Sequence, residues 1–198
     1  MSIKKEPVTV TLLDEVEKCE KDIVEHLLAI PDKKAVRIVI NSGGGSVYAS
    51  LGISTVIQMK KLQAEAIVLA DCSSSALLVF ATCKVRKVAP HASFLFHPMR
   101  WSSEDQSRLP GAKSWAAEFQ RVNAVCEDWL VRHLAMPRKT LKSWLREERY
   151  VQAEELFELG IAEPLDLHGG NVIDIALKSR RTGSRGRQEK PARIRRVG

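Results

Sequence analysis

Nowhere in the 198 residues does an apolar run approach the ~20 needed to cross a bilayer, so no membrane partner is expected. A CxxC pair is also missing. The four cysteines, Cys19, Cys72, Cys83 and Cys126, are scattered. That spacing argues against a zinc site or a disulfide framework and for a reducing, cytoplasmic setting. The first 30 residues are acidic and amphipathic and contain no signal-peptide core. No internal repeat is visible. The glycine turn at 43–45 is followed by no Gly-Lys-Ser/Thr and does not read GxGxxG, so neither nucleotide-binding signature is present. No metal site and no cofactor are expected.

What remains is an ordinary globular composition with an unusual end. The apolar content of 44% and the length suit one sizeable core. The net charge of +7 is unevenly placed. Lys178 to Gly198 holds nine Lys/Arg and one Glu, which leaves the rest of the chain at −1. That tail is rich in Gly, Ser and Arg and has no aromatic residue, so it cannot bury enough surface to offset ordering. The expected division is a folded domain over 1–176 and a disordered basic tail over 177–198. Such a tail either solubilises the chain or makes a weak, salt-sensitive contact with nucleic acid or an acidic partner.

Along the chain, Val8 to Leu13 reads as a strand and Cys19 to Ile30 as an amphipathic helix. Ala35 to Ile40 is nearly continuous and β-branched, the pattern of a strand buried on both faces. Three glycines break it. Ser46 to Leu62 reads as a helix, Ala64 to Ala70 as a buried strand, and Ser74 to Cys83 as a helix. Short strands follow around Arg86–Ala89 and Ser93–His97. This alternation implies an α/β fold with a mainly parallel sheet. After a polar stretch from Met99 to Pro110, a long helix is expected over Ala112–Ala135. Trp115, Phe119, Val122, Cys126, Trp129 and His133 recur along it at spacings of three and four, a stripe suited to its own core or to a subunit interface. Pro137 ends it. A further helix over Arg138–Glu148, a short strand, a helix stopped at Gly160 and a last strand complete the chain.

Two junctions carry chemistry. In Asn41-Ser42-Gly43-Gly44-Gly45-Ser46, a strand runs through glycines into a helix. Glycine lets backbone N–H groups approach a ligand, and helix starts favour negative charge. The turn suits a phosphate or half of an oxyanion hole. In Asp71-Cys72-Ser73-Ser74-Ser75-Ala76, three serines occupy a second strand-to-helix junction, as caps or with one of them a nucleophile. A serine nucleophile needs a base. His97, at the end of a strand, is the candidate; His91 sits in a polar turn after Pro90.

The stretch from Val36 to Pro98, through "VINSGGGSVYASL", "ADCSSSALL" and "SFLFHP", resembles the catalytic core of ClpP, the proteolytic subunit of Clp proteases. It follows that family's order of strand, NSPGG turn, helix, strand, nucleophile turn, helix and His-bearing strand. The likeness continues through "REERYVQAEELFELGIAE" and covers roughly residues 8–165. The wider ClpP/crotonase superfamily shares the fold and the first glycine turn. The resemblance implies repeated ββα units with a protruding long "handle" helix.

Carried over position by position, the resemblance gives Gly45 one oxyanion-hole N–H and makes Ser74, 29 residues later, the nucleophile. Ser75 would supply the second N–H. His97 matches the family base. Counting back from His97 without a gap would instead select Cys72. That register is set aside, because the interval from Ser74 to His97 reads as two residues shorter than is typical. The third member of the family triad is an Asp, and the matching position is Glu148. The resemblance thus implies a cytoplasmic serine endopeptidase that cleaves peptides or unfolded proteins inside a homo-oligomeric ring, possibly of stacked rings, with no cofactor. The family Pro is replaced by Gly43 and the Met-Gly after the nucleophile by Ser75-Ala76. "MRWSSEDQSRLPG" stands where the family has a glycine-rich strand. With little ahead of Val8, the axial segment used with an AAA+ unfoldase is expected to be weak. Three rival readings are a catalytically impaired ClpP-like scaffold subunit, a crotonase-like CoA enzyme that uses the same N–H groups on a thioester enolate, and a nucleic-acid binder acting through its tail.

Overall fold

The computed structural model describes residues 6–100 and 109–167. In chain order the elements are β1 Val8–Leu12, α1 Val16–Ala29, β2 Ala35–Ser42, α2 Val47–Met59, β3 Gln63–Cys72, α3 Ala76–Thr82, β4 Val85–Val88, β5 Ser93–Phe96, α4 Leu109–Leu134, α5 Arg138–Arg146, β6 Arg149–Gln152, α6 Ala153–Glu158 and β7 Glu163–Pro164. The expected α/β class with a mainly parallel sheet is borne out. The order is β1-β2-β3-β4-β7, all parallel, and β5 departs from the end of β3 to pair antiparallel with β6. The described residues up to Leu165 belong to one compact unit. The expected boundary at 176 and the basic tail lie outside the described residues, as does most of the polar stretch after Met99. No helix among the described residues is long and apolar enough to cross a membrane.

The strands alternate more strictly than their composition suggests. Val36, Ile38 and Ile40 of β2 are fully buried, as are Ala66 and Val68 of β3, and they pack beneath Leu27 of α1, Ile53 of α2 and the wholly buried α3. The intervening Arg37 and Val39, and Glu65 and Ile67, are only half-buried. Burial of β2 on both faces is therefore corrected to burial on one. The second face carries a charged ladder in place of helices. Arg37 Nε donates to Glu65 Oε2 at 3.0 Å, and Lys87 Nζ on β4 lies 2.7 Å from Glu65 Oε1.

Arg86 is the main polar stitch behind the sheet. Its Nε donates to the Ile161 carbonyl at 2.6 Å and its Nη1 to the Cys83 carbonyl at 2.6 Å, closing the ends of α6 and α3. Along α4 the fully buried positions are Val122, Cys126, Leu130 and Leu134, each four apart. This stripe is displaced from the expected one. Trp115 is 54% exposed, and Trp129 sits at the margin, with Nε1 donating to Thr82 Oγ1 at 3.0 Å and its ring stacked on His133. All four buried positions lie in the C-terminal half of α4, the half that reaches α3 through Trp129 and Thr82.

Candidate active site

β2 delivers Ser42 and the glycine turn to the edge of a cavity. Ser42 is buried. Its Oγ donates to the Asp14 carbonyl at 2.6 Å and accepts from the Gly44 N–H at 3.2 Å. The Gly44 carbonyl accepts from Val16 N at 2.9 Å. Gly44 has φ +101°, and a Cβ there would fall 2.5 Å from Ser74 Cβ. Gly45 has φ +127°, and a Cβ there would overlap the Glu17 carboxylate. Both positions require glycine, for their backbone angles and for close approach. Glu17 Oε2 accepts from Ser46 N at 2.7 Å, and Ser46 Oγ caps α2 by accepting from Ala49 N. A carboxylate at a helix start is electrostatically favoured. Sequence reasoning missed Glu17, because nothing local marks an acidic side chain on α1 as the anchor of a turn 28 residues away.

The three serines separate cleanly. Ser73 and Ser75 are 5% and 4% exposed, whereas Ser74 is only half-buried. Ser73 Oγ donates to Asp71 Oδ1 and accepts from Leu95 N at 3.1 Å. It is occupied in joining β3 to β5. Ser75 opens α3, and its Oγ is buried without a hydrogen-bond partner among the described residues. Ser74 has φ +56°, in the left-handed region that side chains disfavour. Its N–H donates to the Leu95 carbonyl at 3.0 Å. This geometry ends β3 and delays α3, so the helix begins at Ala76 and not at Ser74 as expected. Cys72, the position selected by the gapless register, is fully buried, and burial pushes its thiol well above the ordinary range. A thiol so desolvated is unreactive.

His97 follows directly from β5. Its Nδ1 lies 2.6 Å from the Pro98 carbonyl oxygen. A carbonyl only accepts, so Nδ1 carries the proton and Nε2 is left with the lone pair. The antiparallel register pairs Leu95 with Tyr150 and Phe96 with Arg149. The paired register ends there, and His97 and Glu148 are each the next residue beyond it. Glu148 lies just past the end of α5, with φ +47°. Its Oε2 accepts from Arg100 Nη2 at 2.7 Å. His97 and Glu148 thus flank the same end of the β5–β6 pair, while the Glu148 carboxylate is paired with Arg100 and the His97 Nδ1 with Pro98.

Gly45, Ser74, Ser75 and His97 line a single cavity of about 250 Å³. Glu148 is outside its lining, although Arg100 is within it. The far wall comes from α4, through Asn123, Cys126, Glu127 and Leu130, and from Leu145 of α5. A half-buried serine on a strained turn, an imidazole and backbone N–H groups around one cavity can together perform acyl transfer.

The pattern of the Clp protease family matches residues 5–165. The chain is 26% identical over 148 residues to the ATP-dependent Clp protease proteolytic subunit 1 of Mycolicibacterium paratuberculosis, covering 72% of this chain and 70% of that one. It is 29% identical over 142 residues to the ATP-dependent Clp protease proteolytic subunit 4 of Rhodococcus jostii, covering 71% and 72%. The figures for the ATP-dependent Clp protease proteolytic subunit 2 of Mycobacterium bovis are 26% over 148 residues, covering 72% and 69%. The match spans both glycine and serine turns, β5 and the β6–α6 segment, and the chain belongs to the Clp protease family.

Proposed function

We propose that this chain is a serine endopeptidase of the Clp type, with Ser74 as nucleophile and His97 as base. His97 Nε2 takes the hydroxyl proton as Ser74 Oγ attacks the peptide carbonyl, then gives it to the leaving amine. The N–H groups of Gly45 and Ser75 hold the oxyanion. Water then hydrolyses the acyl-enzyme by the same proton transfers in reverse. Glu148 serves as the orienting carboxylate of the triad. One observation carries the reading: of the three consecutive serines only Ser74 is accessible, and it shares its cavity with His97, Gly45 and Ser75. Labelling with a fluorophosphonate probe tests it. Loss of labelling in Ser74→Ala supports the assignment, and undiminished labelling sinks it.

The relatives are named as proteolytic subunits of ATP-dependent proteases. We extend to this chain the corresponding assembly, a cytoplasmic homo-oligomeric ring that encloses its active sites and receives peptides or unfolded protein, with an AAA+ unfoldase as the partner class. Light scattering coupled to size exclusion reads the ring directly. A second reading, that of an impaired scaffold subunit, draws on the pairing of Glu148 with Arg100 and of His97 Nδ1 with Pro98. Full-length chain that assembles but takes up no probe at Ser74 would favour it.

A further inference from the structure

Glu127 is out of keeping with its surroundings. It lines the Ser74–His97 cavity from α4, and its side chain is only 18% exposed. Much of the wall around it is aliphatic, from Val47, Leu77, Leu78, Met99, Leu130 and Leu145. A carboxylate drawn out of water needs compensation. Asn123 Nδ2 donates to Glu127 Oε1 at 2.9 Å. Arg138 approaches Oε2 no closer than 4.0 Å, beyond hydrogen-bond reach, because its other terminal nitrogen is held by Asp128 Oδ1. One guanidinium thus faces two carboxylates, and Asp128 has the close contact. Asp128 is 54% exposed and therefore well screened, whereas Glu127 is not.

The Glu127 carboxylate, only partly compensated by Asn123 and Arg138, is felt inside the cavity. The neighbouring Cys126 thiol is pushed up to about 11, first by burial and then by the Glu127 charge. The other charged side chain lining the cavity is Arg100, and Glu148 already pairs with it. The cavity therefore presents largely apolar walls, an acidic point at Glu127 and, at Arg100, a cation already paired with Glu148. Its volume of about 250 Å³ leaves room for the five heavy atoms of a lysine side chain.

We infer that this cavity is the specificity pocket for the residue preceding the scissile bond, and that Glu127 selects a long basic side chain there, lysine or arginine. The methylenes lie along the aliphatic wall and the cationic head meets the Glu127 carboxylate. This rests on the peptidase reading of Ser74. An uncharged aliphatic wall would give selectivity for leucine or methionine, and Glu127 opposes it by leaving its charge buried and unmatched beside such a side chain.

The test uses the full-length chain and a pair of peptidyl diphenyl phosphonates that differ only in carrying lysine or leucine at that residue. The quantity read is the ratio of their labelling rates. The lysine probe is expected to lead by about tenfold or more, as a charge-assisted contact commands. In Glu127→Gln the ratio falls to near or below one. Arg138→Gln removes the cation competing for Glu127, and the ratio rises. Asp128→Asn releases Arg138 towards Glu127, and the ratio falls. A rise in Arg138→Gln cannot come from damaged folding, so the set does not hinge on any variant that simply loses structure. A wild-type preference for the leucine probe, or a ratio indifferent to Arg138→Gln, overturns the inference while leaving Ser74 as nucleophile. Absence of labelling by both probes and by a plain fluorophosphonate marks failure of the peptidase reading itself, and the inference falls with it.

Discussion

Arg100 Nη2 lies 2.7 Å from Glu148 Oε2, one residue before Arg149, whose pairing with Phe96 ends the β5–β6 ladder. The guanidinium thus holds the carboxylate that the triad reading assigns to His97, whose Nδ1 is at the Pro98 carbonyl. Both partners of the ion pair are more than half exposed, so the pair itself adds little stability. Removing the competitor should cost the fold almost nothing and free Glu148 for His97. In Arg100→Gln, kcat on a peptide substrate should rise severalfold, while Glu148→Gln should lower kcat by up to ~10⁴, the effect of losing an orienting carboxylate. An Arg100→Gln variant no faster than wild type would remove the carboxylate from the mechanism.

Glu148 also occupies a backbone position that glycine prefers. It sits immediately after the αR cap of α5 with φ +47°, where helices commonly end in glycine. The left-handed geometry costs a side chain about 1–2 kcal/mol. Glu148→Gly should therefore raise the urea midpoint by the equivalent of about 1 kcal/mol and lower kcat at the same time, whereas Glu148→Ala should lower kcat without the gain. Opposite movement of stability and activity in one variant is the signature to measure.

Gly44 tests how tightly the two turns fit. A Cβ there would meet Ser74 Cβ at 2.5 Å and the Ser73 carbonyl at 2.8 Å. The residue already has φ +101°. Gly44→Ala must push the turns apart, and a displacement of this size should slow fluorophosphonate labelling by about 10²-fold. The accompanying loss of stability, about 1–3 kcal/mol, is readable by urea denaturation.

Glu65 gives a pH-dependent prediction. Its carboxyl is held below the ordinary value, first by Lys87 and also by Arg37, with burial opposing them. A group depressed in the folded state contributes stability above its unfolded value, here about 4.5, and that contribution is lost as pH falls through the folded value. Thermal midpoints of wild type should drop relative to Glu65→Gln below about pH 4.5, with the gap between the two closing in acid. Parallel curves from pH 3 to 7 would show that the ladder on the second sheet face does not couple to folding.

Much of the fold could be read from periodicity, because strands and helices alternate with clear breaks at Gly43–Gly45, Pro31 and Pro137. The two-faced burial of β2 could not. Val36 to Ile40 is apolar enough for either arrangement, and only the cross-strand partners of Arg37 show which face is packed. Among the site residues, the resemblance singles out Ser74, and solvent exposure singles out the same serine from its neighbours. The start of α3 at Ala76, two residues after Ser74, is not legible, because left-handed backbone at a serine has no local signature. Glu17, Arg100 and Glu127 were invisible for a common reason. Each meets the site only after distant elements pack, and each is by type an unremarkable surface residue.

Leu95 has a consequence beyond the hydrogen bonds that describe it. Its carbonyl accepts from Ser74 N and its N–H donates to Ser73 Oγ, two residues before His97. The serine turn and the strand bearing the histidine are thus clamped together by one residue's main chain. Everything between them in sequence, α3, β4 and the turn to Ala92, is a detour whose length the clamp does not sense. Residues can be gained or lost around Lys84–Val85 without changing how the serine faces the histidine. A shortening there is a change of path length between two fixed points.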